Sequence, residues 1–299
     1  MVTRQKILDL FQTIRAPRRR RLGVPPRIIS ISNNKGGTGK TTTAVNLASG
    51  LAFLKGYRVL LIDFDPQGNA SIALEVDIEN LDCSVQDLLT GKVTDFKYLL
   101  WDRGENLKIL PANNALKDIE NELVSNIDGR VRLRERLAPI LNDFDYIIID
   151  TPPTLGLFTQ GPLIASTAVI IPVDVGFFSL QGIRHLLEDI EKIRSHYNPN
   201  LQIGGILLTK SDSRTILSKQ VEQTLRKNFR DKAFETIIRV NVDIIRSQIA
   251  RKSIFAFDPA STGAKDYSSL IAEIVGNIVA FPRERSEASG SIQKKARGH

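Results

Sequence analysis

The run Ser32-Asn33-Asn34-Lys35-Gly36-Gly37-Thr38-Gly39-Lys40-Thr41-Thr42 concentrates residue types that bind phosphate. Glycines 36, 37 and 39 lack a Cβ, so successive backbone N–H groups can curl around an anion at the positive end of a following helix. In such a loop Lys40 reaches the outer phosphates of a nucleotide, and the Thr41 hydroxyl is placed to ligate Mg²⁺. Lys35 adds a second lysine near the start of the loop. A glycine-rich turn that merely begins a helix needs neither the Gly-Lys-Thr ending nor a strand in front of it. Nucleotide binding follows from the combination.

Two further segments carry acid groups to the same region. Leu60-Leu61-Ile62-Asp63-Phe64-Asp65-Pro66-Gln67-Gly68-Asn69 and Tyr146-Ile147-Ile148-Ile149-Asp150-Thr151-Pro152-Pro153 both end an apolar run in carboxylates. A carboxylate after four apolar strand residues is costly to bury and is normally paired, hydrogen-bonded or near a metal. Asp150 is a candidate for holding the Mg²⁺ hydration shell, and Asp63 and Asp65 are candidates for orienting an attacking water. Each taken singly also reads as a helix cap or a turn aspartate.

The elements that would position these groups alternate along the chain. Arg27–Ile31 is a short apolar strand, and residues 41–54 carry Ala44, Leu47, Ala48, Leu51 and Ala52 at helical spacing. Strands are expected at 58–62, Leu107–Leu110, 146–149, Ala168–Val173 and 203–208, with 236–239 and 254–256 as candidate later strands. Helical periodicity recurs at 183–193, at 217–229, where Leu217, Val221, Leu225 and Phe229 would share one buried face, and at 267–278. This pattern predicts an α/β fold: a mostly parallel, twisted sheet with helices on both faces, binding its ligand at the carboxyl ends of the strands.

At 299 residues with 42% hydrophobic content, the chain can bury the core of one large α/β domain, placed at residues 27–281. Residues 1–26 form a basic extension, in which Ile7, Leu10, Phe11 and Ile14 could share one side of a helix before Arg18 to Arg21. Residues 282–299 form a basic tail expected to be disordered. The net charge of +8 comes entirely from these ends, the body between them being slightly negative. Residues 1–27 hold eight Lys/Arg against Asp9, and residues 282–299 hold five against Glu284 and Glu287. Cationic ends on a near-neutral body point to a polyanion, DNA or an acidic membrane surface. No apolar run reaches the ~18 residues of a membrane span, and residues 1–11 lack a signal-peptide core, so a cytoplasmic location is expected. The single cysteine, Cys83, allows no internal disulfide and no paired-cysteine cluster site.

The sequence resembles the ParA/MinD family of P-loop ATPases with the deviant Walker A motif, and within it the ParA (Soj-like) partition ATPases. The residues that carry the resemblance are Lys35 to Thr42, Ile62 to Ala70 and Ile149 to Pro153, with weaker echoes at Leu110 to Asn113, Leu207 to Thr215 and Phe257 to Pro259. The resemblance implies ATP and Mg²⁺ as cofactors. It also implies a homodimer that forms on ATP, in which Lys35 reaches across the interface to the nucleotide of the other subunit. By the same resemblance Gly36, Gly37, Thr38, Gly39, Lys40, Thr41 and Thr42 cradle the nucleotide, Asp65 positions the attacking water, Asp150 supports the metal with Thr41, and Asp63 is a second member of the switch segment. Nitrogenase-reductase-like and iron–sulfur carrier relatives share the loop but need paired cysteines.

The family further implies slow turnover stimulated by a ParB-like protein or small adaptor, non-specific DNA binding, and a nucleoid-associated role in moving plasmid, chromosome or other cargo. Candidate DNA contacts are Arg214, Lys219, Arg226, Lys227, Arg246, Arg251 and Lys252, since backbone binding needs cation clusters rather than a base-reading helix. The 26 residues before the body are too few for a helix-turn-helix domain. A MinD-like regulator that binds a membrane surface through residues 4–21 is the alternative. Three departures stand out. Asn34 replaces a frequent Gln, Asp174-Val175-Gly176 lacks the acidic residue that often precedes the aromatics, and Asp243 replaces a basic position near the family's DNA surface.

Overall fold

The computed structural model describes residues 25–154, 156–176 and 179–276. Both basic ends, with the amphipathic reading of the first sixteen residues, lie outside this range. Seven strands form one sheet: β1 (Arg27–Ile31), β2 (Val59–Asp63), β3 (Trp101–Asp102), β4 (Leu107–Leu110), β5 (Tyr146–Asp150), β6 (Ala168–Val173) and β7 (Gln202–Leu208). Their order is β3-β4-β2-β5-β1-β6-β7. All neighbours pair parallel except β3, which runs antiparallel on β4 at the edge.

The strands are apolar on both sides because both faces are covered. Alternation at period two sends Ile29, Ile31, Val59, Leu61 and Ile148 to one face, where the helices Lys40–Lys55 and Thr262–Gly276 pack. Ile28, Leu60, Ile62, Ile147 and Ile149 enter the other face. On that face, beside β6 and β7, the helices Ser179–His196 and Ile216–Phe229 bury Ile183, Leu186, Ile190, Val221 and Leu225. Gly50 sets how closely the first face packs, since a Cβ there would collide with Ile271 and Phe255.

Three sequence expectations change. Residues 254–256 are not a strand but the start of the helix Ile254–Phe257, because the Ser253 hydroxyl caps it by accepting from the Ala256 amide at 3.3 Å. Residues 236–239 form no strand: the Ile238 amide donates to the Leu208 carbonyl at the end of β7 at 2.9 Å, and otherwise the chain around them touches this edge through isolated bridges, Ile206 with Ala233 and Ser211 with Arg239. Helix carboxylates take amides that a ladder would use: Glu273 accepts from Glu235 and Thr236, and Asp266 from Arg239. Third, Leu217 does not join the buried stripe of its helix. It is exposed with Ile216, while Ser218, Val221 and Leu225 face inward.

Candidate functional site

The chain leaves β1 at Ile31 and enters the helix Lys40–Lys55 through Gly39, whose φ of 87° is left-handed, as is the 76° of Gly37. A side chain at either position would be strained, so glycine is required by the turn. Added Cβ atoms on Gly36 and Gly37 would meet nothing within 4 Å, which leaves open space on the loop's outer side. Two ties fix the loop to its surroundings. Asn33 Nδ2 donates to the Pro172 carbonyl at 2.6 Å, and the Thr209 hydroxyl lies 2.8 Å from the Thr38 carbonyl and 3.1 Å from that of Val173.

Lys40 is buried within this loop and donates Nζ to the Lys35 carbonyl at 2.9 Å. Burial lowers its pKa, against the charges of Asp150 and Asp65, which raise it. Beyond the metal-candidate Thr41, the Thr42 hydroxyl accepts from Gln248 Nε2 at 2.6 Å, so the helix Val242–Ile249 is tied to the first turn of the loop's helix.

Asp63 ends β2 and Asp150 ends β5, opposite each other in register and both fully buried. Asp63 is well supplied with donors. Its Oδ2 accepts from the Ser71 amide and hydroxyl, both at 2.8 Å, and its Oδ1 from the Asp65 amide at 3.2 Å. Burial nevertheless pushes its pKa up to about 7. Neither oxygen of Asp150 meets a donor at full hydrogen-bond geometry. Burial first, then the Asp63 charge, hold it well above the usual carboxylate range, and the Thr41 hydroxyl and Lys40 act in the opposite sense. A buried carboxylate with two unsatisfied oxygens, beside a threonine hydroxyl and an open glycine cradle, fits a hydrated divalent cation and the phosphates it accompanies. Asp65 closes the turn after β2, its Oδ1 accepting from Gln67 at 2.9 Å.

Lys35 turns back along its own chain. Its Nζ donates to both carboxylate oxygens of Asp174, at 2.9 and 3.0 Å. In the sequence Asp174 stands out only within a departure, Asn33 only as a member of the loop, and nothing local marks Gln248. The signal for Thr209 lay in the echo Leu207 to Thr215.

The cationic candidates separate into two groups. Arg226 lies in a double pair with Glu222 and Glu235, each at 3.0 Å, Arg214 pairs with Asp212 at 2.7 Å, and Arg246 with Asp243 at 3.4 Å. Lys219, Lys227, Arg251 and Lys252 are exposed and form no salt bridge among the described residues. Asp243 occupies the first turn of its helix behind the Asn241 cap, where an acid suits the helix dipole. No described helix is long and apolar enough to cross a membrane.

Comparison with known proteins matches residues 26–203 to a family model described as an AAA domain. The sporulation initiation inhibitor protein Soj of Bacillus subtilis is 42% identical, over 84% of this chain and 99% of its own. The chromosome partitioning protein ParA of Myxococcus xanthus is 39% identical, over 83% and 88%. Among solved structures, a cobyrinic acid a,c-diamide synthase from Mycobacterium smegmatis with bound ATP analogue and magnesium superposes with a TM-score of 0.72 at 29% identity. That match covers 85% of this chain and 96% of the other.

Proposed function

The chain belongs to the ParA-type family of P-loop ATPases, and from that membership we propose an ATP-switched positioning enzyme. It dimerises on ATP and Mg²⁺, binds DNA without sequence preference, and is released after hydrolysis that a ParB-like partner or small adaptor stimulates. Its cargo is plasmid or chromosome DNA or a protein assembly, and its place is the cytoplasm at the nucleoid.

The observation that carries the reading is Asp150, buried without a full partner beside Lys40 and Thr41. In this assignment the loop amides and Lys40 hold the phosphates, while Thr41 and Asp150 hold the metal and its waters. Bound Mg²⁺ supplies positive charge to the phosphates as charge spreads in phosphoryl transfer. Asp65, in the turn after β2, orients water, and Asp63 anchors that turn through Ser71. Lys35 acts on the nucleotide of a second copy, so assembly and turnover are linked. Association is further supported by Val242, Ile245 and Ile249, which are exposed at i, i+3 and i+7 on the helix that Gln248 ties to Thr42.

Light scattering and phosphate release with ATP·Mg²⁺, with ADP, and with duplex DNA test the proposal. A dimer with ATP alone, DNA binding confined to that dimer, and slow turnover are expected. A monomer at saturating ATP·Mg²⁺ would overturn it.

A further inference from the structure

The second lysine of the loop is held where a trans-acting group cannot be used. Lys35 Nζ meets both carboxylate oxygens of Asp174, at 2.9 and 3.0 Å, within the same protomer. Asp174 directly follows β6, the sheet neighbour of β1, so the pair bridges two segments at the carboxyl edge of the sheet. Its carboxylate is oriented by its own turn, Oδ1 accepting from the Gly176 amide at 3.2 Å.

Loop shape does not depend on this pair. Asn33 to Pro172 and Thr209 to Thr38 already join the loop to the ends of β6 and β7 through buried hydrogen bonds. The Lys35 and Asp174 side chains are instead 42% and 21% exposed. An ion pair at such exposure is screened by salt and easily exchanged for a stronger anion. It is strong enough to set the resting position of a flexible lysine and weak enough to yield to a polyphosphate.

We propose that Asp174 is a cis latch on Lys35. In the nucleotide-free protomer it neutralises the lysine and points it at its own chain. Closure onto a second copy requires the ammonium to leave Asp174 for the phosphates of the partner's nucleotide. The latch makes the resting protomer reluctant to pair and sets the ATP dimer's threshold. This inference rests on the reading that Lys35 acts across a dimer.

The test is sedimentation equilibrium of the full chain with a slowly hydrolysed ATP analogue and Mg²⁺, from 50 to 500 mM NaCl, for wild type, Asp174→Asn and Lys35→Ala. Asp174→Asn should tighten the dimer about two- to thirtyfold at low salt, because two half-exposed pairs, one per protomer, are released on each dimerisation. The gain should shrink at high salt. A dimer unchanged or weakened by Asp174→Asn overturns the latch, as does a gain indifferent to salt. The double variant Lys35→Ala/Asp174→Asn should bind monomeric ATP within twofold of Lys35→Ala. A larger loss makes Asp174 a support of the loop and also overturns the latch. Failure of the underlying reading looks different, because Lys35→Ala would then dimerise as well as wild type.

Discussion

Asp63 and Asp150 stand directly opposite each other on β2 and β5, two fully buried carboxylates in adjacent strands with only one of them supplied with donors. Two negative charges cannot both be held cheaply in such a place without a cation. The pair therefore couples proton binding to stability in the nucleotide-free protein, and in the proposed assignment to metal binding as well.

The pH dependence follows from the raised pKa of Asp63, about 7 in the fold against 3.8. Between these values the folded state holds a proton that the unfolded state has lost, so stability rises as pH falls from about 7 toward 4. Asp150 shifts in the same direction. Urea unfolding of the nucleotide-free protein at pH 5.5 and 7.5 should show greater stability at the lower pH. Asp150→Asn should flatten that slope and raise stability at pH 7.5 by roughly 1–3 kcal/mol, since it removes an unsatisfied buried charge. It should also abolish stabilisation by Mg²⁺ with nucleotide.

Lys40 touches the loop within its own subunit, where its Nζ donates to the Lys35 carbonyl. Lys40→Ala should weaken monomer binding of labelled ATP by tenfold or more, about 1.4 kcal/mol on the scale of charge-assisted hydrogen bonds. Fluorescence anisotropy at a protein concentration below dimer formation measures it. Binding within twofold of wild type would remove Lys40 from the phosphate site.

Thr209 joins the loop to β6 through a single hydroxyl. Thr209→Val keeps the shape and removes the bond, leaving the buried Thr38 carbonyl without this donor. A cost of about 1 kcal/mol in stability and a several-fold loss of ATP affinity are expected. Thermal melts with and without nucleotide separate the two effects.

Asp65→Ala tests hydrolysis apart from binding. It should bind ATP·Mg²⁺ and dimerise, yet release phosphate at least tenfold more slowly and stay on DNA longer. Near-wild-type phosphate release would pass the role to another carboxylate. Asp63 is tied to Ser71, so its replacement would first loosen the turn.

What could be read from the sequence follows the range of the forces involved. Arg27–Ile31, Leu107–Leu110 and Ala168–Val173 appear with the expected bounds because buried parallel strands are continuous apolar runs. The short run Ile254-Phe255-Ala256 misled because so few apolar residues fit strand and helix alike, and the Ser253 cap decided for helix. The loop was legible because its glycines and lysines act within eleven residues. The Lys35 to Asp174 pair spans 139 positions, and no local pattern announces it. Charge pattern likewise could not show that Arg226 is spent on Glu222 and Glu235 while its neighbour Lys227 stays in solvent.

That last difference gives a test of the DNA face. Lys227, Arg251 and Lys252 are exposed and form no salt bridge among the described residues, whereas Arg226 is neutralised by two carboxylates. Reversing the first three to Glu should lower DNA affinity uniformly across sequences. It should flatten the dependence of log affinity on log salt by about 0.9 for each phosphate the variant no longer neutralises. Arg226→Gln should instead lower the melting temperature and leave the salt slope near wild type. Removing residues 1–21 should weaken DNA binding but keep its dependence on ATP, because in the proposed function only the body closes into the nucleotide-dependent dimer. Isotherms at several salt concentrations, with ATP and with ADP, compare the three variants. If the truncation abolishes binding while the triple reversal leaves it intact, the DNA site belongs to the cationic extension and not to the body.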